Sequence, residues 1–362
     1  MACRYFGQCG GCQLQHVPHE DQLAQKKDHI AKSAGIEPEV YAGEPWGYRN
    51  RMDFIFHPGG IGLRRKGKWD KILDVEECPI ADPRINTLLR EVRELKIQDT
   101  FNLAKKSGTF KYAVIRAVEG GTSISFILNA DSSRLGSAIE TIRSFAERTS
   151  ADSVVVARVP AKLDESTGDD YFVVKGKDRL YERINGKEIH FPIQGFFQGN
   201  SETARMMTSY VRKLLEEHKV DTLLDLYGGV GTFGISCADM AGQVIIAEQS
   251  SPAVDAARFN ASVHGHDNVT AKVTDAIRLR NLDVPTPFHA IVDPPRSGMH
   301  PRTVARLRVL APDRIIHVSC NPKALRKEIL TLRDYEVNRA AFFDQFPHTR
   351  HAEAVVELRH RA

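Results

Sequence analysis

No stretch of this chain approaches the ~20 consecutive apolar residues that a helix needs to cross a bilayer. The opening residues Met1-Ala2-Cys3-Arg4-Tyr5-Phe6 hold no apolar core of a secretion signal. Internal repeats and low-complexity segments are missing as well, which sets aside solenoids and linker-like chains. Neither sign of charge dominates: 50 Lys and Arg against 46 Asp and Glu leave a net charge of +4. So mild a surplus permits a nucleic-acid partner without requiring one. These absences predict a cytoplasmic protein without membrane contact. In that compartment the six cysteines read as ligands or nucleophiles rather than disulfides. The 362 residues suffice for two domains, each with its own core.

Cys3, Cys9 and Cys12 form Cys-x5-Cys-x2-Cys, with Gly10 and Gly11 inside the last pair, and Cys78-Pro79 lies far downstream. Glycines let a backbone wrap closely around a metal, and a Cys followed by Pro is common where a chain closes a cluster. Four thiolates without a histidine suit zinc or a four-iron cluster, and spacing alone leaves the two close to even.

From about Pro45 to Pro192 the chain reads as strand-rich and carries little chemistry. Tyr48 to Phe56 alternates as a half-buried strand does, and Ile61 to Leu73 reads as a hairpin with basic turn residues. Lys111–Val118, Ser123–Asn129 and Val154–Val159 read as strands, with an amphipathic helix over Ser132–Thr149. An antiparallel sheet with a helix on one face follows. Arg49, Arg51, Arg64, Arg65 and Lys111 have the charge to meet phosphates, although singly each reads better as part of a solvated face.

Past Phe191-Pro192 strands and helices alternate, beginning with a helix over Ser201–Glu217. Thr222-Leu223-Leu224-Asp225-Leu226-Tyr227-Gly228-Gly229-Val230-Gly231-Thr232-Phe233-Gly234 is a buried strand, a glycine turn and a helix start. Gly229-x-Gly231-x-x-Gly234 meets the dinucleotide fingerprint, and Glu248 ends the next strand where a ribose-binding acid belongs. A nucleotide-cofactor oxidoreductase is thus a fair rival. Against it, Asp225 puts a carboxylate before the glycines, where a pyrophosphate wants neutral or basic surroundings. Methyltransferases commonly keep an acid at this position, near the methionine end of the donor. Ala290-Ile291-Val292 then runs into Asp293-Pro294-Pro295-Arg296, which holds Asp293 at the carboxyl edge of a parallel sheet.

Two C-terminal segments carry the chemistry. Val318-Ser319-Cys320-Asn321-Pro322 places a thiol at a polar strand exit, unlike Cys237, which fits a buried structural role. Phe343-Asp344-Gln345-Phe346-Pro347-His348-Thr349-Arg350-His351-Ala352-Glu353 leads to a carboxylate at the start of a terminal strand. A nucleophilic thiol and a separate base are what carbon methylation of a poorly nucleophilic ring requires.

Together these segments resemble the uracil-C5 RNA methyltransferases, in family order along most of the chain. The string Cys9-Gly10-Gly11-Cys12-Gln13-Leu14-Gln15-His16 is similar to the cluster segment of that family's iron–sulfur branch. The resemblance implies an α/β fold: a C-terminal Rossmann-like S-adenosylmethionine-dependent domain over 191–362 and an N-terminal α+β domain over 1–190. It implies a [4Fe-4S] cluster on Cys3, Cys9, Cys12 and Cys78, with Cys320 as nucleophile and Glu353 as base. Gln198, Tyr227, Glu248 and Asp293 would hold the S-adenosylmethionine donor, Asp293 also meeting the uracil. The family's small RNA-binding β-barrel has no counterpart here, so 23S rRNA is the expected substrate, with the tRNA T-loop as alternative, and the enzyme is expected to be a monomer. His317 departs from a usual tyrosine, Gly228 from a frequent cysteine, and Ala324 and Ala352 from larger residues. A non-catalytic RNA-binding protein with a structural cluster remains a third reading.

Overall fold

The computed structural model describes residues 3–217 and 220–361. In chain order the first elements are α1 (His19–Ala34), β1 (Glu39–Tyr41), β2 (Arg51–His57), β3 (Gly60–Arg65), β4 (Lys68–Asp74), α2 (Pro83–Glu94), β5 (Phe110–Val118), β6 (Gly121–Asn129), α3 (Leu135–Ala146), β7 (Ser153–Val159) and β8 (Tyr171–Lys175). There follow β9 (Arg179–Ile184), β10 (Lys187–Pro192), α4 (Ser201–Glu216), β11 (Val220–Leu226), α5 (Thr232–Ser236), β12 (Ala241–Glu248), α6 (Ser251–Val263) and β13 (Val269–Val273). The chain ends with β14 (Phe288–Val292), α7 (Pro301–Leu310), β15 (Arg314–Ser319), α8 (Pro322–Thr331), β16 (Tyr335–Phe343) and β17 (Glu353–His360).

These elements form two compact units. One holds the chain up to His16, Glu44–Glu182 and Pro192–Ser201; the other holds Val17–Gly43, Arg183–Phe191 and everything from Glu202. A single cut near residue 190 therefore does not describe the division. The reason lies in early pairing: β1 runs parallel to β16, with Val40 opposite Phe342, and Ile30 and Ala34 of α1 share a core with Leu325 and Phe342.

The first unit is a seven-stranded sheet in the order β4-β3-β2-β5-β6-β7-β8. Alternation in β2 buries Met52, Phe54 and Phe56 on one face, as its sequence demands. That face packs on Ile85, Leu88, Leu89 and Val92 of α2 and on Ile142 and Phe145 of α3. Asp82 caps α2 by accepting from Arg84 N at 2.8 Å, and Pro83 opens the helix. The expected sheet is present, but with two helices rather than one. One pair, β6–β7, is parallel, because α3 crosses between its strands.

The second unit is an eight-stranded sheet in the order β1-β16-β17-β15-β14-β11-β12-β13. The run β15-β14-β11-β12-β13 is parallel, and the runs Leu223-Leu224 and Ala290-Ile291-Val292 are buried throughout, as strands covered on both faces must be. Strand β17 lies antiparallel between β15 and β16. A dinucleotide-binding sheet of six parallel strands has no such reversed strand, which weighs against the oxidoreductase.

Candidate active site

The chain leaves β11 for β12 on one side and reaches β14 on the other, so the crevice of an α/β sheet opens at the carboxyl ends of these strands. The ladders run to the rim: Tyr227 N donates to Ala247 O at 3.0 Å and Asp293 N to Leu226 O at 3.3 Å. Asp225, Glu248 and Asp293 thus end three neighbouring strands. Gly229 and Gly231 take positive φ, 55° and 85°. A Cβ on Gly231 would come within 2.8 Å of Ile235, whereas one on Gly229 would meet nothing within 4 Å. The first glycine thus leaves the turn open to a ligand, and the second is required by packing. At Gly228 a Cβ would lie 2.7 Å from Ile246 Cγ2, so Ile246 occupies the space a side chain there would need.

Glu248 is fixed at the mouth of this turn. Its Oε2 accepts from Gly229 N at 3.2 Å and its Oε1 from Ser250 N at 2.8 Å. Asp225 is fully buried; its Oδ2 accepts from Gly234 N at 2.8 Å, and its Oδ1 has no hydrogen-bond partner among the described residues. Burial pushes its pKa up to about 7, with Glu248 adding to the effect and the Gly234 amide opposing it. An unpaired acid under an open glycine turn fits a ligand with a cationic end. Tyr227 has a left-handed backbone and packs against the core, and burial raises its phenol. Gln198 belongs to the other unit, where Asn50 Nδ2 donates to its carbonyl at 2.9 Å.

The thiol and the terminal carboxylate are brought near each other by strand register. The β15–β17 ladder ends at Ser319 opposite Ala354, and Cys320 and Glu353 are the next residues beyond that pair. Asn321 then caps α8, accepting from Lys323 N at 3.1 Å, with Pro322 as the first helical residue. Its Nδ2 donates to Arg296 O at 2.9 Å, which ties the Cys320 exit to the Asp-Pro-Pro-Arg loop. Burial raises the Cys320 thiol to about 11, Glu353 and Asp293 add to the rise, and Arg296 opposes it. Glu353 is raised well above the usual carboxylate range by burial and then by Asp293. Asp293 is raised to about 7 by burial and then by Asp225. One thiol and two carboxyls thus feel one another's charge. Arg296 also hydrogen-bonds His351 at 3.2 Å. Cys237 is fully buried, with its thiol pushed up to about 12.

His317 is fully buried. Its Nδ1 meets Val318 O at 3.0 Å and its Nε2 meets Glu328 Oε2 at 2.5 Å. Glu328 Oε1 in turn accepts from Met299 N at 2.6 Å. The departure at His317 is therefore absorbed inside the fold, where the imidazole links β15 to α8 and to the loop after Asp293.

Sequence reasoning missed α1. Its buried face is Gln22, Lys26, Ile30 and Ala34, so two of four positions read as polar. Those polar groups hold the loop that precedes Glu353. Lys26 Nζ donates to Asp344 Oδ1 at 2.5 Å and to Phe346 O at 3.1 Å, and His19 meets Asp344 Oδ2 at 2.9 Å. His348 N donates to Gln22 Oε1 at 2.9 Å. The i, i+4 spacing of Gln22, Lys26, Ile30 and Ala34, with Gly35 just past the end, was the available signal. Replacing Lys26 with Met strands a buried Asp344 charge. We expect a loss of about 3–5 kcal/mol, since breaking a buried pair from one side leaves the partner uncompensated. Denaturant unfolding of Lys26→Met checks this.

In the first unit Cys3, Cys9, Cys12 and Cys78 line a single cavity of about 480 Å³. Gly11 N donates to Cys9 Sγ at 3.4 Å. Among the described residues no group of three or more His, Cys, Asp or Glu is placed to hold a metal ion. The expected domain with a formed cluster site is therefore reduced to four gathered thiols.

A donor crevice at the switch point of a parallel sheet, beside a thiol and a carboxyl delivered by a reversed strand, defines an S-adenosylmethionine-dependent α/β methyltransferase. The tRNA (uracil-5-)-methyltransferase family model matches residues 18–361. A tRNA (uracil(54)-C(5))-methyltransferase of Pyrococcus furiosus is 35% identical over 99% of this chain and 84% of its own length. A 23S rRNA (uracil(747)-C(5))-methyltransferase of Pyrococcus abyssi is 32% identical over 99% of this chain and 85% of its own. The crystal structure of the Pyrococcus abyssi tRNA (uracil-54, C5)-methyltransferase with S-adenosyl-L-homocysteine superposes with a TM-score of 0.80, at 30% identity, covering 97% of this chain and 86% of that one. The chain belongs to the RNA uracil-C5 methyltransferase family, and it is an enzyme that methylates C5 of uracil in RNA. Among the described residues no helix is long and apolar enough to cross a membrane.

Proposed function

We propose that Cys320 is the nucleophile and Glu353 the base of this methylation, with Asp293 holding the uracil. The observation that carries this reading is the end of the β15–β17 ladder at Ser319–Ala354, just beyond which Cys320 feels the charge of Glu353 and Asp293. The Cys320 thiolate adds to C6 of the uracil, forming an Sγ–C6 bond and moving the ring's electrons to an enolate with density on C5. S-adenosylmethionine, when bound, supplies an electrophilic methyl group. C5 takes that methyl and S-adenosylhomocysteine leaves. Glu353 then removes the C5 proton, the C5=C6 bond re-forms, and the Sγ–C6 bond breaks to release Cys320. Glu248 would accept from the donor's ribose hydroxyls, and Tyr227 would also help hold the donor.

For the target we place tRNA uridine 54 first, since the relatives at 35% and 30% identity carry that specificity. A 23S rRNA uridine stands second, supported by the relative at 32%. The expectation of 23S rRNA gains nothing over tRNA from these relatives. Incubating the protein with labelled donor and unmodified tRNA or 23S rRNA transcripts, then mapping 5-methyluridine by mass, separates the two. Label on neither RNA refutes the reading.

The four gathered cysteines also support a metal centre in the first unit. Cys3, Cys9, Cys12 and Cys78 would hold a four-iron cluster by their four thiolates. We expect anaerobically purified protein to be brown and to contain iron and sulfide in equal amounts. One zinc per chain without iron refutes the cluster.

A further inference from the structure

The β3–β4 hairpin carries side chains that neither the catalytic residues nor the cysteine cavity use. Residues 65–71, Arg65-Lys66-Gly67-Lys68-Trp69-Asp70-Lys71, are all exposed, and Trp69 is 67% exposed. Strand β4 is an edge of its sheet. Lysines on an edge are the ordinary guard against strand addition, and they alone would need no further explanation. A bare indole among them works against that guard, so something else keeps it there.

The backbone presents this indole. Arg64 pairs with Ile72 but Arg65 pairs with Lys68, so residues 69–71 bulge out of the ladder. Bulges re-aim a side chain. The Arg64 guanidinium donates to the Trp69 carbonyl and is itself held by Asp164 Oδ2 at 2.6 Å and Tyr112 Oη at 3.2 Å. The cysteine loop braces the same hairpin, with Gly10 N donating to Arg64 O at 2.9 Å and Lys66 N to Gln8 O at 2.7 Å. Asp70 is taken by Lys71 at 3.6 Å, while Arg65, Lys66 and Lys68 have no ion-pair partner among the described residues.

We propose that this hairpin is an RNA-docking surface, with Trp69 stacking on an unpaired base and Arg65, Lys66 and Lys68 meeting adjacent phosphates. Charge complementarity selects a polyanion, and the exposed indole selects one with unstacked π faces, as single-stranded RNA has. An acidic protein would satisfy the cations and leave the indole without purpose. The inference rests on the RNA methylation proposed above and extends it to where the substrate is held.

The chain has two tryptophans, so in a Trp46→Phe variant the emission reports Trp69 alone. We expect an RNA that the unsubstituted protein methylates to quench this emission. Trp69→Ala is expected to weaken that RNA roughly five- to 150-fold, the range for loss of one stacked base. Trp69→Phe should recover much of the affinity and Trp69→Leu little. Arg65→Ala, Lys66→Ala and Lys68→Ala should each lower the slope of log affinity against log salt by about 0.7. Donor affinity, and the single-turnover rate at saturating RNA, should not change. Unaltered emission and affinity with an RNA that is methylated overturn the docking surface and leave the function standing. Loss of donor binding in Trp69→Ala would mean damage to the fold and also overturns it, as would quenching by an acidic protein but not by RNA. If the unsubstituted protein methylates no RNA, the proposed function falls and the hairpin's role with it.

Discussion

Cys320→Ala is expected to abolish methyl transfer and covalent attachment to RNA, with a rate loss on the order of 10⁶, as removal of a nucleophile costs elsewhere. Without the Sγ–C6 bond, C5 has no enolate density with which to take the methyl. Cys237→Ala is the matched comparison, because that thiol is fully buried and takes no part in the site. A 5-fluorouridine RNA, which blocks loss of the C5 proton, should trap the parent and Cys237→Ala on a denaturing gel but not Cys320→Ala. Turnover by Cys320→Ala would remove the mechanism. The thiol at about 11 is protonated at neutral pH in the free enzyme, and Glu353 is raised as well. Cys320 must lose its proton to add to C6, so adduct formation should quicken as pH rises. Below the thiol's pKa the gain is about tenfold per unit while thiolate is limiting.

Glu353→Gln should let the reaction start and prevent its end. The variant adds to C6 and methylates C5, but the C5 proton has no acceptor, so the Sγ–C6 bond persists. Loss of a positioned base is typically worth about 10²–10⁴ in rate. We expect a denaturation-resistant protein–RNA complex that carries the label from the donor. Normal turnover by Glu353→Gln would show that another group is the base. Glu357, on the same strand, cannot serve as the control. It is 1% exposed, accepts from Arg314 Nη1 at 2.6 Å and is hydrogen-bonded to Asn338. Neutralising it leaves Arg314 uncompensated and destabilises the fold for reasons unrelated to catalysis. The exposed Glu336 on β16 is the better control.

The same contrast runs through the whole chain. The sequence by itself determined the buried strands around Asp225 and Asp293, because strands covered on both faces must be continuously apolar. It determined the glycine turn, since positive φ at Gly229 and Gly231 restricts the residue there. It also nominated Cys320 by its polar strand exit and Glu353 by the resemblance of the loop that leads to it. Only the tertiary structure decided what each faces. Cys320 and Glu353 are 33 residues apart in sequence and are brought near each other through the register of β15 and β17. The division of the chain was equally invisible, because β1 and α1 join the second unit through contacts some 300 residues distant. Local pattern encodes which face of an element is buried. It does not encode the partner, and in α1, where Gln22 and Lys26 occupy the buried face, even the burial awaited Asp344 and His348 to make it affordable.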